Sequence, residues 1–518
     1  MGNLKLAAMF LLLLVSTAKA HSGAVFDIRK YGAKADGKSD ISKALCHAFK
    51  EACACPTPSK VLIPKRTFLL SQVSLEGPCK APVKIVVRGT LKALTDPSKM
   101  KVDGSWVTFK RIDRLTLSGG GTFDGQGPKA WGTCGLKSYC KQLPINLRFN
   151  FITNAIVEDI TSKDSKQFHV NVLGCNNLTF RRFTISAPEH SINTDGIHIG
   201  RSTGINITDS KIATGDDCVS IGDGSRQITI TKVTCGPGHG ISVGSLGKYK
   251  NEEPVVGVTV RNCTFFNTMN GVRIKTWPAS FRGSVSDMHF EDIIMNNVSS
   301  PVIIDQIYCP HNECNAKLPS LVKISNVSFK NIRGTSSTPV AVKLACSSGI
   351  PCQGVEIADI DLRYTGKEAR AAVSECSNLP SLVKISNVSF KNIRGTSSTP
   401  VAVKLACSSG TPCQGVEIAD IDLRYTGKEA RAAVSECSNV WPKILGKHSL
   451  TICTFVFLIT ANFIEAKTAR QKPCWTTKQQ HKKQTGTPKL DVQLNTHRKQ
   501  NRGRKPNPEK QSTRTSTD

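Results

Sequence analysis

Seven segments of the chain share one arrangement of apolar and polar residues. In each segment, apolar side chains occupy the first, third and eighth of eight positions, and Gly, Asn and Asp collect in the gaps between segments. Alternation over a few residues is typical of strands, and the gaps have the composition of turns. The segments are 178–185, 205–212, 228–235, 258–265, 288–295, 322–329 and 355–362.

The spacing of these segments predicts the fold. Consecutive starts are separated by intervals within the roughly 20–50 residues typical of repeat architectures, with no helical pattern between them. This spacing predicts an all-β solenoid, a parallel β-helix in which each coil stacks its strands on those of the coil before. A sandwich or a propeller would instead show tight hairpin turns or blade-length repeats.

A short helix is predicted ahead of the solenoid. Apolar residues follow helical spacing there, with Ser39 or Asp40 available as N-cap. Such a helix would cover the apolar end of the first coil. The apolar residues are Ile41, Ala44, Leu45, Ala48, Phe49 and Ala52.

Residues 1–20 have the form of a signal peptide. Lys5 precedes an apolar stretch, and Ala18-Lys19-Ala20 fits signal peptidase, so the mature chain is expected to begin at His21. We therefore expect a secreted protein of the extracellular space or cell wall. Its 20 cysteines suit an oxidising compartment. Sequons for N-glycosylation occur at Asn177, Asn206, Asn262, Asn297, Asn326 and Asn387.

The other end, residues 448–518, forms an atypical tail. An apolar run at 450–464 is shorter than the about 20 residues that a membrane span needs, so no stable membrane insertion is expected. Residues 466–518 carry 14 Lys and Arg against 3 Asp and Glu and are predicted to be disordered. The β-helix domain is therefore expected over 21–447.

Within this domain, residues 318–378 recur as 379–439. The two copies have the same length and differ at one position, Ile350 against Thr411. Independent folding units diverge further than this, so the copies reflect a recent tandem duplication or an error in the gene model. A solenoid can in principle accept the extra coils.

Four polar clusters recur at about the length of one coil. The interval from Asp195 to Asp216 is nearly the same as the interval from Asp217 to His239. Strands of neighbouring coils lie about 4.8 Å apart, so residues one coil apart on one face become neighbours. The clusters are Asn193-Thr194-Asp195-Gly196, Gly215-Asp216-Asp217-Cys218, Gly238-His239-Gly240 and Arg273-Ile274-Lys275.

A patch of this composition suits hydrolysis of an acidic polysaccharide. One carboxyl group must be protonated to donate to the leaving oxygen, and another must be ionised to activate water. Crowded carboxylates raise one another's pKa, which allows both forms to coexist. Arg273 and Lys275 point to one side of a strand and fit a sugar that carries its own carboxylate. Without residues 1–20 and 466–518 the net charge of +30 becomes +17, which still suits such a polyuronate partner.

Each cluster alone has a simpler explanation. Asp-Gly pairs are common turn formers, Asp217 could cap a turn and His239 could mark a bend. Arg273 and Lys275 could merely neutralise acids on the next coil. The recurrence of four clusters in coil register favours the catalytic interpretation.

At these clusters the sequence resembles the polygalacturonases, the pectin-degrading glycoside hydrolases of family 28. The likeness extends from about Phe26 through the first copy of the repeated segment. Within the family the chain is most similar to the plant pollen exopolygalacturonases, in stretches such as 272–277 and 304–309. The resemblance implies a right-handed parallel β-helix that cleaves α-1,4 galacturonosyl links with inversion and by exo action.

The resemblance also implies roles for individual residues. Asp216 would be the general acid, and Asp195 and Asp217 would position and deprotonate the attacking water. His239 would tune the protonation of the acid. The substrate-binding residues would be Asn193, Arg273, Lys275 and Tyr308. No metal or other cofactor is expected, because the proton donor and the base are both side chains.

Two other functions stay open. A catalytically inactive pectin-binding β-helix would bind pectate without product, and a β-helical lyase would use calcium and release unsaturated products. Nucleic-acid binding is the weakest interpretation, because the leader directs the chain to the secretory pathway. A monomer is expected. Short loops close readily and predict the disulfides Cys218–Cys235, Cys309–Cys314 and Cys346–Cys352.

Overall fold

The computed structural model describes residues 23–100, 104–133, 143–365, 373–376, 386–397, 400–406, 413–426, 432–438 and 440–453. The chain divides into two units, Met1–Val456 and Phe457–Asp518, and the described residues all belong to the first. The predicted signal peptide, the basic tail and most of the apolar run lie outside them. No helix among the described residues is long and apolar enough to cross a membrane.

The described part of the chain is a right-handed parallel β-helix, which confirms the predicted fold. Three rows of stacked strands form its faces. The first row contains Ala24–Asp27, Ser59–Ile63, Val83–Val87, Leu115–Ser118, Thr153–Glu158, Asn176–Arg181, Thr203–Thr208, Arg226–Thr231, Val255–Arg261, Gly283–Val298, Val322–Ser336, Gln353–Tyr364, Ser386–Ser397, Glu417–Tyr425 and Lys443–His448.

The second and third rows complete each coil. The second row contains Thr67–Leu69, Thr90–Lys92, Thr122–Asp124, Thr161–Lys163, Thr184–Ser186, Lys211–Ala213, Thr234–Cys235 and Thr264–Phe266. The third row contains Val73–Glu76, Ser105–Lys110, Ile145–Asn150, Val170–Leu173, Ile197–Gly200, Val219–Ile221, Ile241–Leu246, Asn270–Thr276, Ser300–Asp305, Val340–Ala345, Val373–Cys376, Val401–Ala406 and Val434–Ser438. The four polar clusters lie on and just before strands of this third row.

Columns of apolar side chains fill the interior of the coils. Leu178 pairs in register with Ile205, which pairs with Ile228, and all three are fully buried. The same column continues through Val258, Met288, Val327 and Val355. Because each buried aliphatic side chain contributes about 1.5–3 kcal/mol, stacking in register is the main force that fixes the coils.

The structure corrects the predicted strands in two ways. Most of the eight-residue segments form two strands rather than one: Asn176–Arg181 and Thr184–Ser186, for example, flank Arg182, whose φ is 47°. This left-handed residue bends the chain from the first row into the second. The predicted segment 322–329 is also displaced, because Met288 pairs with Val327 and not with Val322.

The predicted capping helix is present as Ser42–Ala54, and it buries Leu45, Ala48 and Phe49 against the first coil. The predicted N-cap was wrong. Ile41 occupies that position and makes no side-chain hydrogen bond. The Asp40 carboxylate, one residue earlier, accepts from the Ser42 backbone N–H at 3.1 Å and from the Ser71 backbone N–H at 2.9 Å. The remaining helices of the described residues are Pro128–Thr133 and the 3-10 turns Ile28–Tyr31, Pro97–Lys99 and Pro310–Asn312.

All three predicted disulfides are present: Cys218–Cys235, Cys309–Cys314 and Cys346–Cys352. Two more join Cys53 to Cys79, beside the capping helix, and Cys437 to Cys453. The bridges therefore tie the first coil, the coils around the polar clusters and the last described coil.

Candidate active site

The polar clusters meet because consecutive strands of the third row come from consecutive coils and stack in register. Ile197 pairs with Val219 and Val219 with Ile241, so the step along the chain is the same each time. Asp195, Asp217 and His239 each lie two residues before one of these strand positions. Asp216, which precedes Asp217, reaches the same place from the neighbouring position.

Asp217 forms the buried centre of the cluster. Its Oδ2 accepts a hydrogen bond from Lys275 Nζ at 2.7 Å, and its Oδ1 accepts from Arg273 Nη2 at 3.1 Å and from Ser242 Oγ at 2.8 Å. The side chain is 2% exposed. Burial by itself raises the pKa of Asp217, but the two cations and their hydrogen bonds outweigh it and lower the pKa. Asp217 is therefore held ionised.

Asp216 and His239 form the accessible edge of the cluster. His239 Nδ1 lies 2.9 Å from Asp216 Oδ1, and the side chains are 31% and 25% exposed. The Asp217 backbone N–H also donates to Asp216 Oδ1, at 2.8 Å. Burial lowers the pKa of His239, but the hydrogen bond and the charge of Asp216 outweigh it, so the pKa is raised. The hydrogen bonds with His239 and with the Asp217 backbone N–H are both made at Oδ1 of Asp216.

Asp195 is buried without a cation bonded to it. Its Oδ2 accepts from Ser220 Oγ at 2.7 Å, and Ser220 Oγ lies 2.8 Å from His198 Nδ1. Burial, followed by repulsion from Asp216 and Asp217, raises the pKa of Asp195 well above its usual range. Two neighbouring carboxylates therefore have opposite environments, an arrangement that lets one acidic site hold both protonation states.

An aromatic and cationic wall borders the cluster. The Tyr308 ring centroid lies 5.2 Å from Lys275 Nζ and 5.7 Å from Arg273 Cζ. Trp277 packs edge-on against Tyr308 with centroids 6.0 Å apart, and Lys248 Nζ lies 4.4 Å from the Trp277 ring. Such a wall can contact both the faces of a sugar ring and a carboxylate.

Asn193 lies two residues before Asp195 in the chain. It is half-buried and adopts a left-handed backbone conformation with φ 53°. Among the described residues, no hydrogen bond joins its side chain to the three carboxylates. The predicted role of Asn193 in substrate binding stays a prediction.

The cluster is better suited to cationic side chains than to a metal ion. Oxygen atoms of Asp216 and Asp217 and a ring nitrogen of His239 lie within 4.8 Å of one another, which would allow coordination. Both oxygens of Asp217 already accept from Lys275 and Arg273, however, and these cations would repel a metal. The donor set is that of an acid–base site.

The sequence analysis missed His198, Ser220 and Ser242. A regular spacing could have revealed them: each lies three residues after a cluster residue, namely Asp195, Asp217 and His239. Arg273 occupies the corresponding position in the next coil, because Ser242 pairs with Arg273 in register. The four residues form one column on the third row, directly beside the column of acids.

Comparison with known proteins connects this geometry to a family. The family model for glycosyl hydrolases of family 28 matches residues 53–382 and 370–449. A polygalacturonase of Nicotiana tabacum is 56% identical over 403 residues, which cover 78% of this chain and 98% of that protein. An exopolygalacturonase of Oenothera organensis is 58% identical over 348 residues, covering 67% of this chain and 96% of its own length.

A solved structure agrees with the fold. The endo-xylogalacturonan hydrolase of Aspergillus tubingensis superimposes with a TM-score of 0.61 at 25% sequence identity. The match covers 69% of this chain and 97% of that protein.

Proposed function

The chain belongs to family 28 of the glycosyl hydrolases, and from this premise we propose that it hydrolyses the α-1,4 links of polygalacturonate. The observation that carries the proposal is the pairing of a buried, ionised Asp217 with a partly exposed Asp216 that has one free oxygen. Hydrolysis needs both kinds of group in one site, an ionised carboxylate to act on water and a protonated one to donate to the leaving oxygen.

The acid step uses Asp216. Its Oδ1 is held by His239 and by the Asp217 backbone N–H, so the proposal assigns the donated proton to Oδ2. That proton passes to the glycosidic oxygen as the bond to the anomeric carbon breaks. Asp195 and Asp217 act on the attacking water from the buried side, and attack opposite the leaving group inverts the anomeric centre.

The substrate carboxylate binds to Arg273 and Lys275. Arg273 has five N–H donors, of which two are used on Ser242 and Asp217, and Lys275 uses one of three. The remaining donors lie beside Tyr308, which contacts the sugar ring. Asn193 contributes a polar group. A neutral sugar would leave these donors unpaired, so the site favours an acidic one.

The proposal also includes exo action, that is, cleavage from the end of the polysaccharide chain, and a location outside the cell. The relatives from tobacco and Oenothera are named polygalacturonase and exopolygalacturonase, and the matched residues span nearly their whole length. We expect galacturonate monomer as the main product, released from wall pectin by a monomeric secreted enzyme. A product mixture of several oligomers would indicate endo action instead.

The test is the substitution Asp216→Asn. Because the amide cannot donate an acidic proton, we expect release of reducing sugar from polygalacturonate to fall by at least about a hundredfold. The matched control is Asp209→Asn, an exposed acid directly after a first-row strand, which should keep full activity. Wild-type rates in Asp216→Asn would contradict the proposed role, and pectate binding without hydrolysis by the wild type would favour the non-catalytic alternative.

A further inference from the structure

Two serines on adjacent strands hold the two buried carboxylates in the same way. Ser220 and Ser242 pair in register on the third row. Ser220 Oγ donates to Asp195 Oδ2 at 2.7 Å, and Ser242 Oγ donates to Asp217 Oδ1 at 2.8 Å. The two carboxylates therefore have one equivalent partner each, and the difference between them arises elsewhere.

Asp217 also accepts directly from Lys275 and Arg273. The two serines differ in turn in the residue that contacts each of them from a neighbouring coil. Arg273 Nε lies 3.2 Å from Ser242 Oγ, and His198 Nδ1 lies 2.8 Å from Ser220 Oγ. Both contacts follow from register, since His198 pairs with Ser220 and Ser242 pairs with Arg273. The four residues thus form two parallel relays, His198–Ser220–Asp195 and Arg273–Ser242–Asp217.

The two relays have different chemical capacities. A guanidinium is a donor only, so the Ser242 hydroxyl must direct its proton to Asp217, which can act only as an acceptor. A neutral imidazole can donate or accept at Nδ1. Burial, followed by the charge of Lys275, lowers the pKa of His198 to about 4, so the ring is neutral in mildly acidic solution. The Ser220 hydroxyl can therefore serve either protonation state of Asp195.

We propose that Asp195 is the carboxylate that takes the proton of the attacking water, that Asp217 stays ionised throughout, and that His198 and Ser220 are positioning residues for Asp195. This inference rests on the proposed function. One O–H bond of the water breaks, and its electron pair forms the new bond to the anomeric carbon while the proton passes to Asp195. The glycosidic bond breaks with its electron pair on the leaving oxygen, which takes the proton of Asp216. Asp195 then returns its proton to solvent, and Asp216 takes up a proton from solvent, so that both groups are restored for the next turnover.

The charged groups around the His198–Ser220–Asp195 relay determine in which direction the activity changes with pH. Asp195 faces Asp216, Asp217 and Lys275, and His198 faces Lys275, Asp217 and Asp223. Asp195 must be ionised to accept a proton, so activity is lost as the pH falls through its raised pKa. The Ser220 hydrogen bond lowers that pKa. Removing the bond should therefore move the acid limb of the activity profile to higher pH.

The experiment compares kcat/KM against pH for the two serines. Ser220→Ala should move the acid limb upward by about one pH unit, the scale of a lost hydrogen bond to a carboxylate. Ser242→Ala, the matched control, should lower kcat without moving the limb, because Lys275 and Arg273 still hold Asp217. His198→Ala should shift the limb in the same direction as Ser220→Ala, and His198→Asn should restore it, since an amide can donate and accept. A shift in Ser242→Ala but not in Ser220→Ala would overturn the assignment.

A measurement without turnover separates this inference from the proposed function. The carboxyl carbon of Asp195, labelled with 13C and assigned with Asp195→Asn, is titrated by NMR in the wild type and in Ser220→Ala. An upward move of its midpoint in Ser220→Ala supports the relay even if polygalacturonate is not the substrate. An unchanged midpoint overturns the relay, and a moved midpoint with an unmoved acid limb overturns Asp195 as the proton acceptor. Circular dichroism melts check that each variant is folded.

Discussion

The first and second copies of the repeated segment, 318–378 and 379–439, pack differently although one residue distinguishes them. In the first copy, Phe329 is fully buried and stacks on Phe290 with ring centroids 5.0 Å apart and planes 8° apart. Its counterpart Phe390 is only partly buried, because its register partner in the preceding coil is Ile357. An aromatic ring packs closely on another ring but less closely on a branched aliphatic side chain.

An apolar cavity of about 70 Å³, partly open to solvent, lies between the two copies. Side chains of both copies border it, including Ile357 and Leu362 from the first and Phe390 and Leu405 from the second. Protein interiors are normally packed as densely as organic crystals, so this cavity is a defect. The burial of a residue in a solenoid is therefore decided by the coil on which it rests as much as by its own sequence.

Truncating the equivalent phenylalanine in each copy should produce the largest difference in the free energy of unfolding. Phe329→Ala removes a stacked, fully buried ring, and we expect the free energy of unfolding to fall by about 3–5 kcal/mol. Phe390→Ala removes a partly exposed ring beside a cavity, and we expect a loss of about 1–2 kcal/mol. Urea denaturation followed by circular dichroism measures both. Equal losses would show that the two copies pack alike.

Enlarging one leucine should have opposite effects in the two copies. Leu405 borders the cavity, so Leu405→Phe should raise the free energy of unfolding by about 0.5–1 kcal/mol. Leu344, the matching residue of the first copy, is 2% exposed and is not among the residues that line the cavity, so Leu344→Phe should lower the free energy of unfolding by about 1–3 kcal/mol through overpacking. Thermal melts of the two variants provide the comparison, and stabilisation of both would refute the packing difference.

Removing the second copy should affect catalysis least. Deletion of 379–439 joins Asn378 to Val440, and the sequence at the junction is unchanged because each copy ends in Asn. The proposed catalytic and binding residues all lie in earlier coils, so we expect the rate of polygalacturonate hydrolysis to stay within about twofold of the full chain. A large loss of kcat in the shortened protein would show that the added coils contribute to the site.

The fold was predictable because six of the seven predicted strand segments stack in one column. The bend that divides most segments into two strands could not be predicted from the sequence. It occurs at the fifth position, which holds residues as different as Arg182, Lys232 and Asn262, all with φ near 50°. Only Asn is a usual residue for that conformation. The segment 322–329 was misplaced because Val322 and Ile324 alternate as well as the true register residues do.

The site was predictable in part. The proximity of Asp195, Asp217 and Lys275 was predicted because clusters of charged residues recur in the sequence at the length of one coil. The serines of the two relays were not, since a hydroxyl on a strand has no distinctive pattern until its partners are placed. The roles of Asp216 and His239 stay predictions that the substitutions above test.

The length of the repeated segment has a consequence for how such chains can grow. Val327 pairs with Val355, Val355 with Val388, and the neighbouring pair Ser389 with Glu417 continues the stack, so one copy corresponds to two whole turns. A block of that size raises the stack by roughly 10 Å and leaves every later side chain facing the way it faced before. A closed architecture such as a barrel cannot accept an insert in this way, because the insert would interrupt its pairing of strands. A solenoid can be lengthened by whole coils without changing which side chains face inward.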